Sequence, residues 1–511
     1  MRANMSTTTS PASFIAKWRD NQLKESSASQ EHFIDLCRML GVPTPVEADR
    51  DGSFYTFEKG AEKTSGGGGF ADVWYRDRFA WEYKGPGARL DDAYQQLLLY
   101  REALESPPLL IVSDLQRIQI HTNFTGTVKQ IHTIELDELD NPDTLRTLRA
   151  VFTDPEKLRP KRTAAQVTEE AAERFAKITL GLRSRGNDPD QTAHFMVQLL
   201  FCLFAEDVGL LPNRIFSRLI KFTAANPESF TTQIGELLAA MRDGGVSNLE
   251  TISRFNGGLF NQINVLDLTE TELRELERAS RLDWSYIEPA IIGTLFERSL
   301  DPARRSQLGA HYTGRGDIER VVEPVVMQPL RRRWNEVREQ ADKLKADWDS
   351  ATTPRTRENR KNQLASLLFK FQDELRQVRI LDPACGSGNF LYVALENLLD
   401  LEKQVAQYAA INGLPFLMPQ VRPTQLYGLE INHYARELTQ TVIWIGYLQW
   451  MRLNAHAVQD DPVLDPMETI KLQDSILDLS DPDNPREPEW PEADFIIGNP
   501  PFLGAKRLRS E

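Results

Sequence analysis

The chain has 511 residues, 41% of them hydrophobic and 26% charged, a composition typical of a globular protein with roughly two to four domains. Its net charge of −14 argues against a protein that coats nucleic acid without specificity, although local basic patches could still contact DNA. The three cysteines are too few for a disulfide framework or a thiolate zinc site, and no segment has the apolar core of a signal peptide or the length of a membrane span, so we expect a cytoplasmic protein without a membrane partner.

The amino-terminal part of the chain is expected to fold as a small α/β domain. Two helical patterns within residues 14–40 precede an aromatic, alternating stretch at residues 70–85, which is typical of a β-hairpin turning near residues 76–78. Beyond the hairpin, the patterns predict a helix at Tyr94–Leu104 and strands at Leu109–Ser113 and Ile118–Thr122. Residues 70–122 therefore predict the order strand, strand, helix, strand, strand.

The predicted hairpin carries two acidic residues and a lysine that could form one site. Glu82 and Lys84 lie two apart on a strand, so their side chains point to the same face, and Asp72 on the partner strand can join them. Two carboxylates suit a hard cation such as Mg²⁺, and the lysine can orient or activate a water for attack on a phosphate. Charged residues on an exposed strand usually form solvated pairs, so the pattern alone is a weak signal. Gln95 and Gln96 could touch DNA, but a position on the helix surface is the default interpretation.

The middle of the chain is predicted to be helical and to lack a catalytic arrangement. Residues 154–168 have the prolines and basic residues of a linker, and helical periodicity dominates residues 169–279. Residues 193–210 are apolar on most faces and predict a buried helix, in which the lone His194 is expected to be structural rather than a ligand. Further on, residues 328–378 predict a pair of charged helices.

Two motifs in the last third of the chain carry the strongest chemical signal. The stretch R-I-L-D-P-A-C-G-S-G-N-F-L at residues 379–391 predicts a strand, a tight turn and a helix. Gly386 and Gly388 lack a Cβ atom, so the backbone can turn sharply and lie against a ligand that the first helical N–H groups would face. A second apolar run at residues 495–497 leads to Asn499-Pro500-Pro501-Phe502.

The second motif can be interpreted through amine chemistry. An exocyclic amine of a base is a poor nucleophile because its lone pair is delocalised into the ring. The side-chain oxygen of Asn499 and the carbonyl of Pro500 can accept its N–H bonds, while Phe502 can stack on a base removed from its helix. Either motif alone is explained equally well by an ordinary turn, but the two in this order favour the functional interpretation.

The motif D-P-A-C-G-S-G followed by N-P-P-F resembles the DNA amino-methyltransferases that use S-adenosylmethionine, and F-A-D-V-W…F-A-W-E-Y-K resembles the amino-terminal domain of the MmeI-type fused restriction–modification enzymes. The resemblance implies an α/β protein with three parts: a restriction-nuclease-like domain at residues 1–160, a helical spacer at 165–280, and an incomplete methyltransferase domain with a partial Rossmann-like sheet at 286–511. It also implies that further strands and a target recognition domain follow, so we expect a truncated chain that binds cofactor weakly and methylates little.

The resemblance, together with the order of acidic residues after predicted strands, assigns a cofactor pocket and two catalytic sets. Asp382 would lie near the methionine amino group, Glu430 would accept the ribose hydroxyls, and Asp474 would accept the adenine amine. The residues expected to bind S-adenosylmethionine are Tyr312, Thr313, Asp382, Ala384, Gly386, Gly388, Glu430 and Asp474. The residues expected to act in methyl transfer are Asn499, Pro500, Pro501 and Phe502. The residues expected to act in a Mg²⁺-dependent endonuclease are Asp72, Glu82 and Lys84, with the metal held by Asp72 and Glu82.

The expected reaction is direct methylation of adenine N6 in double-stranded DNA, and N4 of cytosine shares its chemistry. Cys385 is expected to pack under the turn, because cytosine C5 methylation uses a Pro-Cys dipeptide that this chain lacks. The sequence has no nucleotide loop of the helicase type, so we expect no ATP-driven motor. Two alternatives are open: a modification-only or phage-defence methyltransferase with an inactive nuclease domain, and a non-catalytic DNA-binding fragment.

Overall fold

The computed structural model describes residues 9–19, 25–60, 71–85, 87–255, 258–289, 313–415, 417–454, 467–478 and 484–500. Contacts between Cα atoms divide the chain into two compact units whose main boundary lies between Ala164 and Ala165. Among the described residues, none of the helices combines the length and the apolar composition that crossing a membrane would require.

The amino-terminal unit is built on a six-stranded sheet whose strands lie side by side in chain order. Neighbouring strands are antiparallel except the third and fourth, which are parallel. The strands are β1 Tyr55–Lys59, β2 Ala71–Tyr75, β3 Phe79–Tyr83, β4 Leu109–Ser113, β5 Arg117–Thr122 and β6 Ile131–Glu135. The helices of this unit are α1 Pro11–Trp18, α2 Glu25–Leu40, α3 Pro45–Ala48, α4 Leu90–Leu99 and α5 Pro142–Thr153.

Alternation along β3 separates the core of this unit into two layers. Phe79, Trp81 and Tyr83 are fully buried on one face of the sheet, together with apolar residues of α1, α2 and α5. Ala80 is buried on the other face with apolar residues of α4. Glu82 follows Ala80 by two residues, so its side chain points to the α4 face. The predicted hairpin is therefore confirmed, and it directs one acidic residue toward a helix.

Three sequence-based expectations need correction in this region. The helix expected at residues 94–104 spans Leu90–Leu99 and passes into turns at residues 100–105. Glu105 and Ser106 then have positive φ and Pro107 follows, so helical structure does not resume there. Strands β1 and β6 were not predicted, since both are edge strands with weak apolar alternation. The linker expected at residues 154–168 is wrong in its second half, where helix α6 has already begun and the Ala164 N–H donates to the Gly126 carbonyl at 3.0 Å.

The first part of the second unit is helical, as predicted. Its helices are α6 Ala164–Ser184, α7 Pro189–Asp207, α8 Ile215–Ala225, α9 Phe230–Asp243 and α10 Glu270–Ala279. Helix α7 is buried along nearly its whole length, which confirms the buried helix expected from its apolar faces. A two-stranded hairpin of β7 Gly245–Ser247 and β8 Glu250–Ile252 was not predicted.

The second part of this unit is built on a four-stranded parallel sheet in the order β11-β10-β9-β12. Its strands are β9 Ile380–Asp382, β10 Leu426–Glu430, β11 Ile470–Leu472 and β12 Phe495–Ile496. The helices are α11 Arg315–Val322, α12 Gln328–Asp349, α13 Pro354–Gln377, α14 Asn389–Ile411 and α15 His433–Leu453, with a π-helical turn at Glu323–Met327. The two charged helices expected at residues 328–378 are α12 and α13. The expected partial Rossmann-like sheet is confirmed.

Candidate active sites

Polar side chains gather where the four parallel strands end. Asp382 is the last residue of β9, Glu430 is the last residue of β10, and Asp474 lies two residues beyond β11. Asn499 lies three residues beyond β12, which pairs directly with β9, and the Ile497 N–H donates to the Leu381 carbonyl at 2.9 Å. Parallel strands present their carboxyl ends at one edge, where open α/β sheets bind ligands. The two motifs recognised in the sequence therefore share this edge.

The turn after β9 depends on the absence of side chains at two glycines. Gly386 and Gly388 have φ values of +54° and +81°, in the left-handed region that glycine tolerates. A Cβ atom on Gly388 would lie 2.8 Å from Cγ2 of Thr439 on α15. A Cβ atom on Gly386 would meet no atom within 4 Å, so this side of the turn faces open space. The turn thus packs tightly on one side and leaves room for a ligand on the other.

Two carboxylates flank this turn, of which Asp382 is buried and Glu430 is half-buried. Asp382 is 1% exposed and accepts a hydrogen bond from the Ala384 N–H at 3.0 Å. Burial raises the pKa of Asp382 to about 7, the negative charge of Glu430 adds to the rise, and the Ala384 N–H opposes it. Burial also raises the pKa of Glu430, although its carboxylate accepts hydrogen bonds from the N–H groups of Gly386 and Asn432, both at 2.9 Å. A cationic ligand beside this pair would favour the ionised form of both carboxylates.

Backbone packing also brings the Asn499 segment against the first motif. A Cβ atom on Gly498 would lie 2.5 Å from Oδ1 of Asp382, so only a glycine allows this approach. The Asn499 amide nitrogen donates to the Thr313 hydroxyl at 3.2 Å. Pro500 is exposed directly after Asn499. Of the other predicted residues, Tyr312, Pro501 and Phe502 lie outside the described part of the chain.

Asp474 is described but has an ordinary local role in the structure. It is exposed, and its carboxylate accepts hydrogen bonds from the N–H groups of Ile476 and Leu477 at 2.8 and 3.2 Å. The same side chain stands at the carboxyl edge of β11, where a ligand on the sheet could reach it. Its assignment to the adenine amine remains a prediction.

Cys385 is a packing residue under the turn, as expected. Its side chain is buried, its Sγ atom lies 3.8 Å from the Thr439 hydroxyl, and a Cβ atom on Gly428 would lie 2.8 Å from that sulfur. Burial raises the pKa of the Cys385 thiol well above its usual range, which disfavours a thiolate nucleophile.

The predicted nuclease residues lie together on the α4 face of the amino-terminal sheet. The Lys84 ammonium donates to Oε1 of Glu82 at 3.0 Å, and Glu82 is 4% exposed. The Tyr83 N–H, between these two residues in the chain, donates to Oδ2 of Asp72 at 2.7 Å. This hydrogen bond fixes the Asp72 carboxylate beside the end of β3.

Gln96 belongs to this cluster, although its position on the predicted helix indicated an ordinary surface residue. The Lys84 ammonium donates to its amide oxygen at 3.2 Å, and the side chain is half-buried rather than fully exposed. The sequence offers no strong signal for this contact, because it depends on the helix starting at Leu90 and packing on the face that carries Glu82.

A Mg²⁺ ion fits the donors of this cluster. Mg²⁺ in proteins is commonly held by one or two carboxylates and completes its shell with water and phosphate oxygens. Asp72 and Glu82 supply two such carboxylates. Within the described ranges, no group of three or more His, Cys, Asp or Glu side chains is arranged to hold a metal, so any ion here would rely on water or substrate for its other ligands.

His194 is a structural residue, as expected. One ring nitrogen lies 2.8 Å from Oε2 of Glu437 and the other lies 3.0 Å from the Gln262 carbonyl. Burial lowers the pKa of His194, but the Glu437 carboxylate reverses this effect and the net shift is upward. The residue therefore joins α7 to α15 within the second unit.

Comparison with known proteins identifies three consecutive domains of one family. Residues 9–185 match the description "MmeI, N-terminal domain", residues 190–260 match "MmeI, helicase spacer domain", and residues 339–511 match "MmeI, DNA-methyltransferase domain". Together these three segments take up most of the chain.

Two curated relatives match parts of the chain. DNA methyltransferase A of Bacillus subtilis (strain 168) is 28% identical over 364 residues, which is 67% of this chain and 38% of that protein. A Methanocaldococcus jannaschii protein described as a candidate type II restriction enzyme and methyltransferase is 25% identical over 314 residues, 53% of this chain and 26% of that protein. The chain thus spans less than half the length of either relative.

Two solved structures resemble this chain in part, both with TM-scores below 0.5. The Type IIL restriction-modification enzyme MmeI in complex with DNA matches at 27% identity and a TM-score of 0.45, over 56% of this chain and 37% of that chain. A DrdV–DNA complex matches at 15% identity and a TM-score of 0.26, over 91% of this chain and 39% of that chain.

The three domain matches occur along the chain in the order amino-terminal domain, spacer domain and methyltransferase domain. The chain therefore belongs to the family of MmeI-type restriction–modification enzymes.

Proposed function

We propose that the protein is a DNA adenine-N6 methyltransferase of a restriction–modification system. The observation that carries the proposal is the meeting of two motifs at one sheet edge: the Gly386–Gly388 turn after β9 and Asn499 after β12. The first motif offers glycine backbone and the buried carboxylate of Asp382, and the second offers the amide oxygen of Asn499. These are the groups needed to hold a cationic cofactor beside an amine.

S-adenosylmethionine, when bound, would supply the methyl group. The residues present fit it, because Gly386 faces open space and two carboxylates with raised pKa, the buried Asp382 and the half-buried Glu430, lie beside the turn. Asp382 would hold the cofactor's ammonium group, and Glu430 would accept its ribose hydroxyls. Tyr312, Ala384, Gly388 and Asp474 would complete the pocket, as the family resemblance suggests.

Asn499 and Pro500 would act on the substrate amine. The Asn499 side-chain oxygen and the Pro500 carbonyl would each accept one N–H bond of adenine N6, which localises the nitrogen lone pair toward the methyl donor. Phe502 would stack on the extruded base, and Pro501 would fix the path of the backbone between them. Holding the amine in line with the methyl group would supply most of the rate enhancement.

A second activity is supported by the amino-terminal cluster. Asp72 and Glu82 would hold Mg²⁺, and Lys84, hydrogen-bonded to Glu82, would orient a water for attack on a DNA phosphate. We therefore propose a Mg²⁺-dependent endonuclease in the same chain as the methyltransferase. A modification-only protein remains the alternative, which predicts no cutting in the presence of Mg²⁺.

The decisive experiment is methyl transfer from radiolabelled S-adenosylmethionine to duplex DNA, followed by identification of the modified base. Label on N6-methyladenine would support the proposal, and label on N4-methylcytosine would keep the methyltransferase but correct its base. In a chain of the relatives' full length, binding of cofactor and DNA without any transfer would contradict the proposal and favour a non-catalytic DNA-binding role.

A further inference from the structure

We propose that Thr313 is a positioning residue that orients the side-chain amide of Asn499. This inference rests on the proposed methyltransferase function. The family resemblance assigns Thr313 only to the cofactor pocket, whereas the structure joins it to the residue expected to touch the substrate amine: the Asn499 amide nitrogen donates to the Thr313 hydroxyl at 3.2 Å.

An asparagine at this position needs such a partner because its amide has two chemically opposite ends. The terminal torsion of asparagine is broad and roughly two-fold, so an unrestrained amide can present either its oxygen or its NH₂ group to the substrate. Only the oxygen can accept an N–H bond of the target amine. A hydroxyl that accepts from the NH₂ group turns the oxygen to the opposite side of the amide.

Thr313 is itself held by the residues that follow it. Gly314 caps helix α11, whose first residue is Arg315. The Arg315 guanidinium donates to Glu319 at 2.9 Å, to Glu288 at 3.4 Å and to Glu396. Glu396 belongs to α14, the helix that leaves the glycine turn. The hydroxyl that meets Asn499 is therefore anchored, two residues away, to the element that shapes the proposed cofactor site.

Asn499 is held independently on its other side. Its neighbour Gly498 lies so close to Asp382 that a Cβ atom would be 2.5 Å from that carboxylate, and Ile497 donates its N–H to β9 at 2.9 Å. The backbone is thus held one and two residues before Asn499, while the rotation of the exposed amide is restrained by the side-chain contact. The hydrogen bond to the Thr313 hydroxyl restricts this rotation.

The two roles of Thr313 predict different kinetics. A residue that binds cofactor changes the Kd and KM for S-adenosylmethionine. A residue that orients Asn499 changes kcat and leaves the cofactor affinity almost unchanged, because the amide acts on the substrate amine and on the transition state. Measuring kcat and the Kd for S-adenosylmethionine together therefore distinguishes a residue that orients Asn499 from a residue that binds cofactor.

The experiment compares Thr313→Val with Thr313→Ser. Valine keeps the shape and removes the acceptor, so we expect kcat to fall roughly tenfold, as for the loss of one hydrogen bond, with the calorimetric Kd for S-adenosylmethionine unchanged. Serine keeps the hydroxyl and should retain most of the rate. A rise in Kd that matches the loss of activity, a serine variant as slow as the valine variant, or an unaffected valine variant would each overturn the inference.

A double substitution supplies a second measurement. If Thr313 acts only through Asn499, Thr313→Val should reduce methyl transfer in the unsubstituted protein but not in an Asn499→Ala background, and the shifts in Tm should be non-additive in the same way. Additive effects would overturn the inference while leaving the methyltransferase intact. Absence of methyl transfer by the unsubstituted protein would instead overturn the proposed function, and the positioning role with it.

Discussion

The two sheets of this protein gather their functional groups in different ways. In the amino-terminal sheet, Asp72, Glu82 and Lys84 come from one hairpin and meet on a sheet face, where a lysine neutralises a buried carboxylate. In the methyltransferase sheet, the groups come from four strands separated by long stretches of chain and meet at an edge. There, Asp382 and Glu430 accept hydrogen bonds from backbone N–H groups.

This difference teaches how each site depends on the chain around it. A hairpin site is fixed by local register, so a single slip would move every group to the other face. An edge site depends on the order of parallel strands and on close backbone approach, which glycine permits. The first site should therefore be sensitive to changes in its charged side chains, and the second should also be sensitive to added atoms at its glycines.

The largest expected effects come from substituting one functional residue in each sheet. Asn499→Ala should lower methyl transfer by about 10²–10³-fold, because an acceptor for the developing positive charge is lost, while cutting in Mg²⁺ is unchanged. Lys84→Ala should abolish cutting and leave methyl transfer unchanged. Each variant serves as the control for the other in parallel assays on one DNA. Loss of both activities in either variant would show that the two sites are coupled.

A smaller loss is expected when an atom is added at the glycine turn. In Gly388→Ala, the new Cβ atom would lie 2.8 Å from Thr439 Cγ2 and the residue has a φ of +81°, so we expect a loss of about 2–4 kcal/mol in unfolding free energy. Gly386→Ala is the matched control, because its φ is also positive but the added atom meets open space, and its expected cost is about 1–2 kcal/mol.

Denaturant unfolding of the two glycine variants gives the comparison directly. The difference between their losses measures the contact with Thr439 rather than the backbone conformation. Equal losses would mean that α15 relaxes around the added methyl group, and that the turn is less tightly packed than its geometry indicates.

The same contrast explains what the sequence could and could not predict. The hairpin with Asp72, Glu82 and Lys84 was predicted because alternation and spacing are local properties. The site at the edge of the parallel sheet was predicted only from its two motifs. The local sequence does not indicate that β12 pairs with β9 rather than with β11. The contacts of Gln96 and Thr313 could not be predicted, because each depends on tertiary packing between elements whose bounds or positions the sequence leaves open.

Gln96 offers a more modest way to sharpen the comparison. Gln96→Leu removes the amide oxygen that accepts from the Lys84 ammonium, so the lysine should lose its orientation and cutting should slow by roughly tenfold. Gln95→Leu is the control, because Gln95 is the exposed neighbour on the same helix. The rate of Mg²⁺-dependent cleavage of a labelled duplex measures both variants. Equal cleavage rates for Gln96→Leu and Gln95→Leu would mean that Gln96 does not orient the Lys84 ammonium.

The smallest expected change is in the pH dependence of cofactor affinity at the methyltransferase edge. Burial raises the pKa of Asp382 from its ordinary value of 3.8 to about 7, so the native state binds this proton more tightly than the unfolded chain does. The contribution of Asp382 to stability without cofactor should therefore fall as pH rises from about 4 through 7 and level off above that range, and Glu396, whose pKa burial also raises to about 7, should add to the fall. Cofactor affinity should change in the opposite direction, because a cationic amino group requires the ionised carboxylate.

Between pH 6 and 8 the ionised fraction of a group with a pKa near 7 rises about tenfold, which sets the upper limit for the gain in affinity. Calorimetric titration with S-adenosylmethionine across this range measures it, and the same series on Asp382→Asn subtracts any titration of the cofactor itself. The substituted protein should bind weakly and with a flatter pH profile. Parallel profiles for both proteins would mean that Asp382 does not hold the cofactor's charge, and that its burial serves the packing of Gly498 alone.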